Sequence, residues 1–173
     1  VDDLSSGHKW LLPQSGVDVR IGDVRNITRS CCDLNEPIVF HLAAHFANQN
    51  SVDHPEADLR TNGAGTLAVL LWARKARARR LIYASAGCSI AGHDVDGPVR
   101  EDTPTSLDLD TPYQITKALG EFYCCYFHRR GDVPCVRARF FNSYGPGEVP
   151  GYYRNAIPNF IAHALRGEPL TIT

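Results

Sequence analysis

Apolar residues along this chain follow two rhythms, and the rhythms alternate. Largely apolar runs at 38–42, 80–85 and 133–141 have the length of buried strands. Two briefer runs, 1–4 and 17–21, end in the polar stretches Ser5-Ser6-Gly7-His8 and Gly22-Asp23 and predict two more strands. Longer helical stretches stand between them. Residues 53–78 are apolar on most sides through Leu67, Val69, Leu70, Leu71 and Trp72; Asp53, with Glu56 three residues on, predicts the N-cap. A second helix is predicted over 113–130, where Pro112 suits the first turn because its fixed φ is helical and its missing N–H is not needed there. A last helix is predicted over 156–165 and the start of a strand over 170–173. Strands separated by helices predict a doubly wound α/β domain, a parallel sheet with helices on both faces.

In such a sheet, ligands sit beyond the carboxyl ends of the strands. Asp2 follows the first strand, where a carboxylate can bond the ribose hydroxyls of NAD. Asp23 ends the second, in reach of an adenine amino group, and the small Ala43 and Ala44 end the third and leave room for a cofactor backbone. Tyr113 and Lys117 are four residues apart on the predicted helix and share a face. A free phenol, with a pKa of about 10, is a poor base at neutral pH. A neighbouring ammonium favours the phenolate, so the pair suits a tyrosine base, although by spacing alone it better suits a packed tyrosine and a solvated lysine.

Composition narrows the partners. A net charge of −1 with 21% charged residues gives no general attraction to nucleic acid or to a membrane surface. The basic cluster Arg74, Lys75, Arg77, Arg79 and Arg80 has no aromatic platform beside it and suits a solvated helix end. No apolar run reaches the length of a membrane span. The cysteines at 31, 32, 88, 124, 125 and 135 include two adjacent pairs and no C-x-x-C, which predicts reduced thiols in a cytoplasmic protein. His41 and His45 do not converge from a strand as they would from a helix, so no metal site is expected.

Eight segments occur in an informative order: Val1-Asp2-Asp3-Leu4-Ser5-Ser6-Gly7, Gly22-Asp23-Val24-Arg25, Phe40-His41-Leu42-Ala43-Ala44, Asn62-Gly63-Ala64-Gly65-Thr66, Tyr83-Ala84-Ser85, Tyr113-x-x-x-Lys117, Arg139-Phe140-Phe141-Asn142 and Tyr144-Gly145-Pro146-Gly147. Together they resemble the extended short-chain dehydrogenases, and among these the NAD-dependent sugar-nucleotide epimerases and dehydratases. The resemblance covers nearly the whole chain. It implies a partial NAD-binding Rossmann-type domain over 1–173, with residues from about 142 onward entering the substrate-binding region. It implies NAD as cofactor and a nucleotide-diphosphate sugar as substrate. Asp2 would hold the adenosine ribose and Asp23 the adenine; Ala43, Ala44 and Asn62 would line the cofactor, and Ser85 would border the nicotinamide. Tyr113 would be the acid/base, with Lys117 binding the nicotinamide ribose and lowering the tyrosine pKa. Asn142 and Asn155 match substrate-contacting positions, and the long helices of two subunits would pair into a homodimer.

The chain also departs from that pattern. The family's Gly-rich phosphate turn would lie before Val1. Gly63-Ala64-Gly65-Thr66-Leu67-Ala68 lies inside a helical stretch, and Gly145, Gly147 and Gly151 alternate with Pro146 and Pro150, so neither replaces that turn. A substrate lobe would continue past Thr173. An internal fragment is therefore expected, inactive alone and weak in NAD binding without the turn's backbone N–H groups. Five residues before Gly92, where the resemblance implies a catalytic Ser or Thr, stands Gly87, leaving Ser89 or Ser85 to offer a hydroxyl to the substrate. Cys88 and Ser89 occupy places where a dehydratase would carry acidic residues, which favours epimerisation at carbon 4. A dehydratase or other short-chain oxidoreductase and a non-catalytic NAD sensor are the alternatives.

Overall fold

Three of the apolar runs pair into a parallel sheet of order β1-β2-β3 in the computed structural model, which describes residues 1–12, 16–87, 90–92 and 97–170. β1 is Ile38–His41, β2 is Arg80–Ala86 and β3 is Cys135–Phe140. The register places His41 beside Tyr83 and Ser85 beside Arg139. β3 begins after Pro134, which has no N–H for the ladder; the Pro134 carbonyl still accepts from Leu81 N at 2.8 Å. The two runs nearest the N-terminus meet in a single parallel bridge, Asp2 with Ile21, rather than as the two strands predicted. The Asp2 and Asp3 carboxylates take the N–H groups of Leu4 and Ser5 into local turns, which competes with longer pairing. Of the strand predicted over 170–173, residues 171–173 lie outside the described ones.

The helical stretch predicted from Asp53 is built in pieces. After the short α1 (Ile27–Ser30) come α2 (Asn48–Asp53), α3 (Pro55–Asp58), a wide i→i+5 turn over Leu59–Ala64, and α4 (Gly65–Lys75). Asp53 closes α2 and does not cap the next helix. Pro55 takes that helix's first position and disfavours a helical backbone at His54 before it. α4 stops at Lys75 because Arg77 turns left-handed, with φ 51°, and Ala78 N–H reaches back to Ala73 O at 2.8 Å. α5, Pro112–Arg129, matches the predicted helix, and Thr111 and Gln114 cap it reciprocally.

α4 and α5 cover one face of the sheet. Val69, Leu70, Trp72 and Ala73 of α4 and Cys124 and Phe127 of α5 close on Leu81 and Tyr83 of β2 in one buried cluster, where removal of apolar surface from water is the main favourable term. Gly120 lets α5 come this close. A Cβ there would lie 2.1 Å from the Tyr83 hydroxyl oxygen, which instead donates to Lys117 O at 3.3 Å. The opposite face within Val1–Phe141 presents Ile38, Phe40, Val136 and Phe140, all exposed. Residues 142–173 form a separate unit around α6 (Ala156–Arg166), with an apolar groove of about 230 Å³ lined by Tyr144, Glu148, Ile157, Ile161 and Leu165. No helix among the described residues is long and apolar enough to cross a membrane.

Candidate active site

The start of α5 is fixed from several sides. Thr111 caps it, Tyr113 N–H donates to Ser51 Oγ of α2 at 3.0 Å, and Thr111 Oγ1 donates to Asn48 Oδ1 at 3.2 Å. Tyr113 is thereby held with its ring edge-on to Phe46, centroids 6.2 Å apart. One turn along, Lys117 is only 5% exposed. Its Nζ donates to Ala84 O near the carboxyl end of β2 at 2.8 Å and stands 5.5 Å from the Tyr113 ring centroid. The Tyr113 hydroxyl has no hydrogen-bond partner among the described residues, so the phenol is available to a ligand.

Electrostatics here differ from the simple lysine–tyrosine expectation. Burial pushes the Tyr113 phenol up to about 12, and the Asp58 carboxylate adds to the rise. Burial pushes Lys117 down to about 8, with Asp58 acting in the opposite sense. In the protein alone, desolvation of the phenol therefore decides its titration, in the sense opposite to that expectation.

The other predicted residues divide into those that face a ligand and those already engaged. Ala43 and Ala44 follow β1 half-buried. Asn62 is buried and fully used: Oδ1 accepts from His45 N at 2.8 Å, while Nδ2 donates to His45 O at 3.1 Å and Asp58 Oδ1 at 2.6 Å. It holds the loop after β1. Asp2 Oδ1 accepts from Leu4 N at 2.7 Å, whereas its Oδ2 is free among the described residues. Both oxygens of Asp23 are occupied by Arg25, through its guanidinium and through its N–H at 2.8 Å. Asn142 and Asn155 belong to the 142–173 unit, where Asn155 Nδ2 donates to Glu148 Oε1 at 2.7 Å. His41 bonds Thr66 Oγ1 through Nε2 at 2.9 Å.

Ser85 is buried and donates to Glu121 Oε1 at 2.6 Å, so its hydroxyl serves α5; Ser89 lies outside the described residues. Gly87 has no room for the hydroxyl-bearing side chain that the resemblance implies. A Cβ there would fall 2.7 Å from Phe140 O and 3.0 Å from the Phe141 ring. Gly87→Ser in the full-length protein is expected to cost about 1–3 kcal/mol through overpacking and to leave turnover flat or lower. Thermal melts with a turnover assay check this; a faster variant would show that the backbone yields.

Three buried contributors escape sequence reasoning: Asp58, Thr116 and Glu121. A signal does exist for two of them. Asp58 stands four residues before Asn62, and Glu121 four after Lys117, each on the face of a residue already singled out.

Comparison with known proteins agrees with this fold. The profile of the NAD dependent epimerase/dehydratase family matches residues 1–173. A UDP-glucose 4-epimerase of Mycolicibacterium smegmatis is 29% identical over 178 residues, covering 99% of this chain and 56% of that protein. An epimerase structure from Methanothermobacter thermautotrophicus gives a TM-score of 0.94 at 48% identity, over 99% of this chain and 52% of that one. The UDP-glucose 4-epimerase of Thermus thermophilus, solved in complex with NAD, gives 0.87 at 28% identity, over 99% and 55%. The chain thus spans about half the length of these relatives. With the match running from end to end over a parallel sheet and a Tyr113–Lys117 helix, this chain belongs to the NAD-dependent epimerase/dehydratase family.

Proposed function

We propose that the full-length protein epimerises a nucleotide-diphosphate sugar at carbon 4 with NAD as cofactor. The observation that carries this is the Lys117 ammonium, set between the Tyr113 ring and the Ala84 carbonyl near the carboxyl end of β2. The residues fit NAD. Lys117 Nζ uses one N–H on Ala84, leaving two for ribose hydroxyls, and the free Oδ2 of Asp2 suits the other ribose. When bound, NAD would supply a hydride acceptor for carbon 4 and a hydride donor to the opposite face of the resulting ketone. Tyr113 would take the proton of the 4-hydroxyl and give it back, while Lys117 stabilises the phenolate and orients the ribose. Asn142, Asn155 and Ser89 would contact the sugar nucleotide. Free cysteines among the described residues suit the reducing cytoplasm.

Two apolar stripes support a homodimer. Ile115, Phe122 and Tyr126 are exposed along α5 with Leu119 between them, and Leu59 and Leu71 are exposed on the run from the wide turn into α4. Their helical spacing makes an outward face of the kind that partners cover. Incubating the full-length protein with UDP-glucose is expected to yield its carbon-4 epimer without net NADH, in a preparation that sediments as a dimer. A 4-keto-6-deoxy product would assign dehydration instead, and a monomer at micromolar concentration would remove the two-fold pairing.

A further inference from the structure

Asp58, the last residue of α3, has no exposed surface. Its Oδ1 accepts from Asn62 Nδ2 at 2.6 Å, and its Oδ2 accepts from Thr116 Oγ1 at 2.7 Å. Asn62 carries the contact on to the backbone of His45 in the loop after β1, and Thr116 immediately precedes Lys117. A carboxylate is buried at a cost unless donors and cations compensate it. Asn62 and Thr116 supply the donors, and Lys117 of α5 and the His45 imidazole of the loop are the basic groups facing it. The His45 Nδ1 atom is buried without a hydrogen-bond partner among the described residues. Tyr113 is the other titratable group in range. On the neighbouring turns Asp53, Glu56 and Arg60 are exposed; Asp53 bonds Gln49, and Glu56 bonds Arg60.

A mere tie between α3 and α5 needs no charge. An asparagine at 58 could accept from Asn62 and donate to the Thr116 hydroxyl, which both gives and receives hydrogen bonds. The negative charge is what remains to be explained. Resting on the epimerase reading, we propose that Asp58 is a positioning residue whose buried charge sets the pH range in which Tyr113 and Lys117 work. The charge favours the ammonium of Lys117 and the neutral phenol of Tyr113, so both protons leave at higher pH while Asp58 is ionised. Burial, only partly offset by Thr116, His45, Asn62 and Lys117, lifts the Asp58 carboxyl above the ordinary carboxylate range, so the charge is withdrawn from the acid side.

The test is the pH profile of kcat/KM in the full-length protein carrying Asp58→Asn. Both limbs are expected to move to lower pH by about one unit, the size expected of a partly buried charge at short range. At a fixed pH on the acid limb the rate should rise by up to about tenfold. A second readout needs no substrate: the ultraviolet phenolate transition of Tyr113, taken as the difference from Tyr113→Phe, should move down with it. Thr116→Val keeps the carboxylate but removes a donor, so Asp58 should protonate at higher pH and only the acid limb should shift. Should Asp58→Asn not fold, Thr116→Val decides alone. Unmoved limbs and an unmoved phenolate transition would overturn the proposal. A parent without turnover would defeat the epimerase reading instead, leaving the phenolate transition to judge Asp58.

Discussion

Tyr113→Phe in the full-length protein is expected to lower turnover by about 10²–10⁴-fold, the usual span for a lost general acid/base. NAD affinity should barely change. The phenyl ring keeps its edge contact with Phe46, and the hydroxyl it loses bonds nothing else among the described residues. Lys117→Ala should behave differently and lower both turnover and affinity. It removes the cation beside the phenol, a ribose donor and the tie to Ala84. Steady-state kinetics with a separate NAD titration distinguishes the two patterns. Turnover untouched in Tyr113→Phe would mean that another group carries the proton.

Glu121→Ala is expected to give the largest loss of stability, about 3 kcal/mol, the lower end of the range for breaking a buried ion pair. Glu121 is 1% exposed. Its Oε1 accepts from Ser85 Oγ at 2.6 Å and Arg139 Nε at 2.9 Å, and its Oε2 accepts from an Arg139 terminal nitrogen at 3.0 Å. Arg139 also donates to Thr103 O at 3.0 Å, so α5, β2 and β3 meet at this carboxylate and Arg139 carries the tie on to the segment before α5. Alanine would leave the Ser85 hydroxyl and the Arg139 fork without their anion. Arg137 also reaches Glu121, but it is well exposed and adds little. Burial alone would raise the Glu121 carboxyl; the bonds from Arg139 and Ser85 and the charges of Arg139 and Arg137 outweigh it and hold the carboxyl below its usual value. A depressed carboxyl stabilises the fold above its unfolded value, about 4.3, and that stability is lost as pH falls through the folded value. Denaturant melts of wild type and Glu121→Gln should therefore converge in acid. A Glu121→Ala loss below about 1 kcal/mol would show that the network relaxes at little cost.

The sheet and α5 are legible in the sequence because their signals are local: apolar runs of strand length, and Pro112 opening a helix. Other features depend on partners far along the chain. Asp53 followed by Glu56 looks like a cap until Pro55 is given precedence, since its ring fixes the first turn wherever it falls. Asp58 and Glu121 look like solvated helix acids, and only the approach of Thr116 and Arg139 shows that they are buried. Spacing rightly puts Lys117 beside Tyr113, yet it says nothing of the burial that holds the phenol high. Ser85 and Asn62 lie at strand and helix positions suited to a ligand, but their polar atoms are taken by Glu121, His45 and Asp58.

The wide turn over Leu59–Ala64 has a consequence at the level of the gene. A turn that closes on i+5 takes one residue more than an α-turn to cover the same arc. Its six residues therefore hold Asp58 against Thr116 and Thr66 against His41 as a plain α-helix one residue shorter would. Loss of the codon for the exposed Ala64 keeps the reading frame and lets the helix run regularly, with Asp58 and Thr66 still on their own faces. Loss of a codon within α4 has no such slack: every side chain beyond it swings by about 100°, and the buried row at Val69, Leu70 and Ala73 leaves the sheet.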